Sequence, residues 1–400
     1  LEKDEKEAIR KRFLVKPGSK VDVKNDYTSG FDETAIDKEV ARLHLEDDIE
    51  RIAGYQDILY AQNRYSLLVI FQAMDAAGKD STIKHVLSGV NPQGCQVYSF
   101  KAPSEEELDH DFLWRCAKVV PEKGNIAVFN RSYYEEVLVT RVHPEYLERQ
   151  NLPPEIKKKD IWKKRFEQIN NFEKHLVENG TVVLKFFLNV SKKEQKKRFL
   201  ARLDRPEKNW KFSQGDVVDR ALWSEYMTAY QEALSATSTD IAPWYVIPAD
   251  HKPFCRLAVG YIIAETLKKL DLKYPQISDK QKDELAKARV LLENEDKPDG
   301  SSTAVVSSVT AEPQPEQKKE APSGPVVLVS EITESGPEET DNGLSKSPKD
   351  AVAEPSNNGL NNSADNGSQP KAKKTKSKNK DKAKSKTGNK SGNKAKKKKA

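Results

Sequence analysis

The sequence predicts an α/β protein: a five-stranded parallel sheet covered by helices on both faces. Three observations point there. Short apolar runs at residues 67–71, 96–100, 126–129, 182–188 and 244–247 are separated by segments long enough for crossover helices. The first run leads straight into Gln72-Ala-Met-Asp-Ala-Ala-Gly-Lys-Asp-Ser-Thr82, a small-residue loop followed by a helical pattern. Finally, no Phe, Tyr or Trp occurs after Tyr274, so one apolar core is expected, and it lies before that point.

Taken in order, residues 1–35 are polar and turn-rich, with Pro17-Gly18 and Ser29-Gly30, and read as an extended arm over the domain. From 36 to 63, Val40, Leu43, Leu45, Ile49, Ile52, Ile58 and Leu59 recur at mixed three- and four-residue spacing, which predicts a helix leading into the first strand. Trp162, Phe166, Ile169, Phe172 and Leu176 lie three to four apart and predict a core-packing helix before the fourth strand. A further helix is expected near 216–234 and a short one at 280–292. The domain is therefore expected over 36–276, and a disordered tail over 277–400.

The loop carries the first chemistry. Small residues at Ala76, Ala77 and Gly78 let consecutive amides close around phosphate oxygens at a helix N-terminus, where the helix dipole favours negative charge. Lys79 then reaches the anion, and Asp80 and Ser81 complete the loop. The fit to G-x-x-x-x-G-K-[ST] is partial: Ala73 replaces the first glycine, and Asp80 stands where a hydroxyl usually helps hold magnesium. Asp75, inside the loop, offers a carboxylate instead. A Gly-Lys turn after a buried strand would show the same letters, so the remaining strand ends matter.

Phosphoryl transfer needs cations around the migrating group and alignment of donor and acceptor more than covalent help. After the third strand come Asn130-Arg-Ser-Tyr-Tyr-Glu-Glu136, with Arg131 expected to face the cleft, Asn130 able to orient water or metal without charge, and Glu135 the candidate acidic group. Lys196, Lys197, Arg198, Arg202, Arg205, Lys208, Trp210 and Lys211 form a third cluster. Arg198, Arg202 and Arg205 are spaced to share one helix face, which directed inward would form a lid over a polyanion. An ordinary solvated basic helix is the alternative; a large aromatic between two lysines argues against it.

These segments resemble one family. Met74-Asp-Ala-Ala-Gly-Lys-Asp-Ser-Thr-Ile-Lys-His-Val86, Gly89-Val-Asn-Pro-Gln-Gly94, Phe100-Lys-Ala-Pro-Ser104, Asn130-Arg-Ser-Tyr-Tyr-Glu135, Lys208-Asn-Trp-Lys-Phe-Ser213 and Ala242-Pro-Trp-Tyr-Val-Ile-Pro-Ala-Asp-His-Lys252 resemble the polyphosphate kinase 2 family over residues 12–275. The resemblance implies a thymidylate-kinase-like P-loop kinase fold with a helical lid, transferring phosphate from inorganic polyphosphate to a nucleotide with Mg²⁺. By position it implies that Asp75 engages metal and acceptor, with Asn130 a further metal candidate. Lys79 and Arg131 would stabilise the transferred group, and Lys84, Arg198, Arg202, Lys208 and Lys211 would line a polyphosphate channel. Asn130 paired with Glu135 resembles the subgroup that phosphorylates both nucleoside mono- and diphosphates, and the family likeness implies a homo-oligomer. Arg205 stands where similar proteins carry an acidic residue.

The net charge of +6 conceals three blocks: about +2 over residues 1–290, −10 over the Ser/Pro/Glu-rich 291–370, and +14 over the lysine tract 371–400. The lysine tract is a solubilising extension or a non-specific tether for a polyanion; without aromatic residues it has no base-stacking platform. Cys95, Cys116 and Cys255 are too few and too scattered for a disulfide framework or structural zinc site, which suits a reducing cytosol, and the six His show no ligand spacing. No apolar run approaches the roughly 18 to 20 residues of a membrane span, so a cytoplasmic protein is expected. Two rival readings are an ATP-dependent kinase of a small molecule and a catalytically silent polyanion-binding protein.

Overall fold

The computed structural model describes residues 3–30, 37–157 and 160–295, with the side chains of the first stretch described from Glu7. Five parallel strands, β1 (Ser66–Gln72), β2 (Cys95–Ser99), β3 (Ile126–Asn130), β4 (Thr181–Asn189) and β5 (Trp244–Pro248), form one sheet in the order β2-β3-β1-β4-β5. Every residue of β1 is buried, as expected of a central strand covered on both faces. Its neighbours lie in register on either side, with Phe71 opposite Asn130 and Phe186. The chain thus switches direction across the sheet at β1, and the crevice beyond the carboxyl end of that strand is where such sheets bind ligands.

One face is covered by α1 (Lys3–Phe13), α2 (Lys38–Gln62), α3 (Lys79–Val86) and α8 (Lys252–Lys268). The other carries α4 (Ile161–Glu178) and α7 (Trp223–Thr237). Between β4 and α7, α5 (Lys192–Leu203) and α6 (Gln214–Ala221) border the crevice as the lid, and α9 (Asp279–Glu293) follows the domain. Asp37 caps the start of α2, and Asn63, at φ +50°, ends it.

Several boundaries differ from expectation for local reasons. The arm is not extended throughout: residues 3–13 are helical, and Phe13, Val15, Val21 and Val23 enter the core, with Val15 N–H donating to Trp244 O at 2.9 Å. In α2 the buried stripe is Ala41, Leu45, Asp48, Ile52, Gln56 and Leu59, so Val40 and Leu43 face solvent. The expected helix at 216–234 is two helices broken at Leu222. Arg205 does not continue the face of Arg198 and Arg202, because Pro206 excludes a helical conformation before it and α5 stops at Leu203. Among the described residues no helix is long and apolar enough to cross a membrane. The acidic and lysine-rich stretches lie outside the described residues from 296 onward.

Candidate active site

The loop after β1 closes by two left-handed residues, Ala76 at φ +61° and Gly78 at φ +114°. A side chain at Gly78 would find space, its nearest neighbour being Arg198 Nη1 at 3.8 Å, so conformation rather than crowding calls for glycine. Ala73 replaces glycine without strain, since its φ is negative. Lys79 opens α3 with its side chain folded back into the loop, only 8% exposed, its ammonium donating to Ala73 O at 2.7 Å. Burial, then the neighbouring Arg131 charge, push its pKa down to about 8, against the pull of Asp75, Glu135 and Asp80.

Arg131, the first residue past β3, is itself left-handed at φ +65°, and its N–H donates to Phe71 O at 3.0 Å. Its guanidinium donates to Asp75 Oδ1 at 2.7 Å and lies 3.7 Å from Glu135 Oε2. Glu135 and Asp75 hold it firmly protonated despite burial. Asn130 Nδ2 donates to Asp80 Oδ1 at 2.9 Å, while Lys211 from the lid approaches Asp80 Oδ2 at 3.6 Å. Burial alone would raise the Asp80 pKa, but Asn130, Lys211 and Lys79 bring it below the ordinary carboxylate value. Ser81 accepts a hydrogen bond from Arg256 at 2.8 Å.

The lid cations fall into two kinds. Arg198 is nearly buried and all its N–H groups are engaged: Nε with Glu194, Nη1 with Ala76 O and Ala77 O, Nη2 with Ala249 O and Asp250 O. Arg202 pairs with Asp216 at 3.4 Å. Lys208 lines the cleft with no hydrogen-bond or ion-pair partner among the described residues. Lys84 is exposed and is not among the residues lining the cleft.

Four contributors were given no site role from the sequence. Gln195 donates to Asp75 O at 3.0 Å and so fixes the loop from the lid helix. Asp216 lines the cleft with its pKa raised by burial and by the Asp75 charge. Lys252, in the first turn of α8, lines the cleft without a partner among the described residues; burial and the charges of Arg198, Arg256 and Lys208 lower its pKa. Arg256, one turn on, reaches Ser81. The end of β5 was the available cue for the last two, since functional groups collect at strand ends.

Two cavities meet here. The cationic cleft, about 700 Å³, runs from the phosphate loop under the lid past Lys208, Lys211 and Lys252. The second, about 220 Å³, has Leu108, Phe112, Val139 and Tyr146 on its walls together with charged groups that include Glu107, Asp111, Arg115, Glu136 and Arg149. Arg131 lines both. Among the described residues no group of three or more His, Cys, Asp or Glu side chains is placed to hold a metal ion.

The comparisons agree with this geometry. The family model Polyphosphate kinase 2 matches residues 35–275. The chain is 52% identical over 280 residues to an ADP-polyphosphate phosphotransferase of Rhodopseudomonas palustris, covering 70% of this chain and 96% of that one. It is 45% identical to an AMP/ADP-polyphosphate phosphotransferase of Meiothermus ruber, covering 66% and 96%. A solved polyphosphate kinase 2 from Arthrobacter aurescens superposes with a TM-score of 0.57 at 39% identity, covering 68% of this chain and 97% of that one. A central parallel strand ending in a phosphate loop, with Arg131 facing it across the crevice, is thus found in a chain that belongs to the polyphosphate kinase 2 family.

Proposed function

We propose that this chain transfers a phosphoryl group between inorganic polyphosphate and a nucleotide, with nucleoside mono- and diphosphates as acceptors. The observation that carries the reading is the meeting of the two cavities at Arg131: a roomy cationic cleft suits a phosphate chain, and a smaller pocket with both apolar and charged walls suits a nucleoside. The similar proteins bearing ADP- and AMP/ADP-polyphosphate phosphotransferase names support it. One triphosphate has little use for Lys208 and Lys252, cations without a partner among the described residues, in addition to Lys79, Arg131 and Lys211, which weighs against an ATP-dependent small-molecule kinase.

In this reading Ala76, Ala77 and Gly78 present amides to the donor, while the Lys79 ammonium and the Arg131 guanidinium flank the migrating phosphoryl group and stabilise its charge. Asp75 orients Arg131 and the acceptor, and Glu135 supports Arg131 from the opposite side. Lys208, Lys211 and Lys252 hold the donor chain. The oxygen-only donors Asp75 and Asn130 fit Mg²⁺, which takes one or two protein oxygens and completes its shell with phosphate and water. When bound, it would neutralise charge on the phosphates. Asn130 Oδ1 remains available for it because its amide nitrogen is turned to Asp80.

We further infer a catalytic unit over 36–276 with the arm 1–35 and the tail 277–400, a cytoplasmic setting suited to the free thiols of Cys95, Cys116 and Cys255, and self-association into a homo-oligomer. The lysine tract 371–400 is read as a non-specific polyphosphate tether. The test is to incubate the protein with Mg²⁺, long-chain polyphosphate and AMP, ADP, GMP or GDP separately, alongside Lys79→Ala, and resolve the nucleotides by chromatography. Polyphosphate-dependent gain of phosphate by wild type and not by Lys79→Ala is expected; no such gain, or gain only with ATP as donor, refutes the reading.

A further inference from the structure

Behind the site lies a charged network outside the cationic cleft, which meets the second cavity only through Tyr133. Lys185, in the middle of β4, and Glu173, on α4, are 0% and 1% exposed and pair at 2.5 Å. Glu173 Oε1 accepts hydrogen bonds from the hydroxyls of Tyr133 at 3.0 Å and Tyr134 at 2.8 Å. The ammonium of Lys185 gives its other two protons to Tyr134 Oη at 3.0 Å and Thr237 O at 2.7 Å. Burial and Glu173 keep both phenols protonated and donating.

A buried ion pair is weak evidence for stability, because apolar residues of the same volume often serve as well. What distinguishes this one is its attachment. Tyr133 and Tyr134 are the second and third residues after Arg131, and they open the 3-10 turn Tyr133–Val137 that also carries Glu135. Arg131 is left-handed, a conformation that costs a non-glycine residue free energy and persists only where its surroundings impose it. Upstream, the bond to Phe71 O imposes it. Downstream, Ser132, fully buried, accepts from Tyr134 N–H at 3.2 Å, and the two phenols anchor the chain to α4 and β4.

We propose that Lys185, Glu173, Tyr133 and Tyr134 are positioning residues that hold Arg131 in its left-handed conformation, with its guanidinium on Asp75 and facing the migrating phosphoryl group. The inference rests on the phosphoryl-transfer reading for its kinetic consequence but not for its geometric one. A guanidinium displaced by about 1 Å loses rate far more than binding, on the order of 100-fold in unfavourable cases.

The experiment uses the full chain with Tyr133→Phe, Tyr134→Phe and the double variant, each removing only hydroxyls. With polyphosphate and ADP varied, kcat is expected to fall about 10- to 100-fold while both KM values stay within about twofold. Repeated in an Arg131→Lys background, the same substitutions are expected to have less than about a twofold further effect, since they act through a guanidinium already gone. Unchanged kcat with a lowered Tm, or a full multiplicative loss in the Arg131→Lys background, overturns the proposal. A crystal structure of Tyr133→Phe, which leaves Lys185, Glu173 and Tyr134 in contact, decides the geometry without any assay: Arg131 leaving positive φ or moving off Asp75 supports it, and an unmoved Arg131 overturns it. Absence of polyphosphate-dependent transfer in wild type would refute the functional reading alone.

Discussion

Lys79 combines two properties that pull against each other. It must be cationic to meet a phosphate oxygen, yet its site is nearly dry, and burial together with Arg131 brings its pKa to about 8. The consequence for activity is a loss of kcat/KM for polyphosphate as pH rises through about 8, measurable as a pH profile of initial rates. Polyphosphate bound beside the ammonium favours the charged form, so the limb in kcat is expected at higher pH than the limb in kcat/KM. A flat kcat/KM between pH 7 and about 9.5 would contradict this assignment. For stability the sign is that of the usual salt-bridged carboxylate and the reverse of the usual lysine, because folding depresses the pKa. Between about 8 and the ordinary 10.5 the unfolded chain binds the extra proton, so this group alone makes the free protein more stable as pH rises through that window.

At the scale of elements, the lid helix α5 is tied to the phosphate loop rather than merely placed above it. Arg198 bridges α5, the loop carbonyls of Ala76 and Ala77, and the segment after β5. A contact made only to the donor chain would tolerate Arg198→Lys, which keeps the charge; a five-donor bridge does not, because an ammonium offers three protons in a different geometry. Arg198→Lys is therefore expected to raise KM for both substrates and lower Tm by several degrees, as read by steady-state kinetics and thermal melting. A rise confined to the polyphosphate KM would favour the direct-contact role. The elements themselves were largely legible: alternating apolar runs placed all five strands to within two residues, and the core stripe of α4 followed its 3.6-residue period. The partners of the cations were not. Sequence spacing puts Arg198 and Arg202 on one face, but whether that face meets solvent, carbonyls or a ligand is a tertiary fact. Asp216 and Gln195 carried no local pattern, because each acts by reaching another element.

For the whole molecule, the arm belongs to the folded unit. Phe13 is 2% exposed and packs edge-on against Phe254 of α8 at 5.7 Å between ring centroids. Phe13→Ala is expected to cost about 3–5 kcal/mol in denaturant unfolding, the range for emptying a core aromatic site. A cost below about 1 kcal/mol would show the arm to be dispensable to the core. The polar composition of residues 1–35 concealed this, since five buried side chains, Ile9, Phe13, Val15, Val21 and Val23, carry the contact. The central claim also lies at this scale: one cavity takes the phosphate chain, the other the nucleoside, and Arg131 stands where they meet. Steady-state kinetics with polyphosphate and ADP both varied, on Lys252→Ala and Tyr146→Ala beside wild type, tests it most directly. Lys252→Ala is expected to raise the polyphosphate KM about 10-fold or more, the worth of a charge-assisted contact, and leave the ADP KM within about twofold. Tyr146→Ala is expected to do the converse. If both variants shift both constants alike, or each shifts the other's substrate, the two-cavity assignment is wrong.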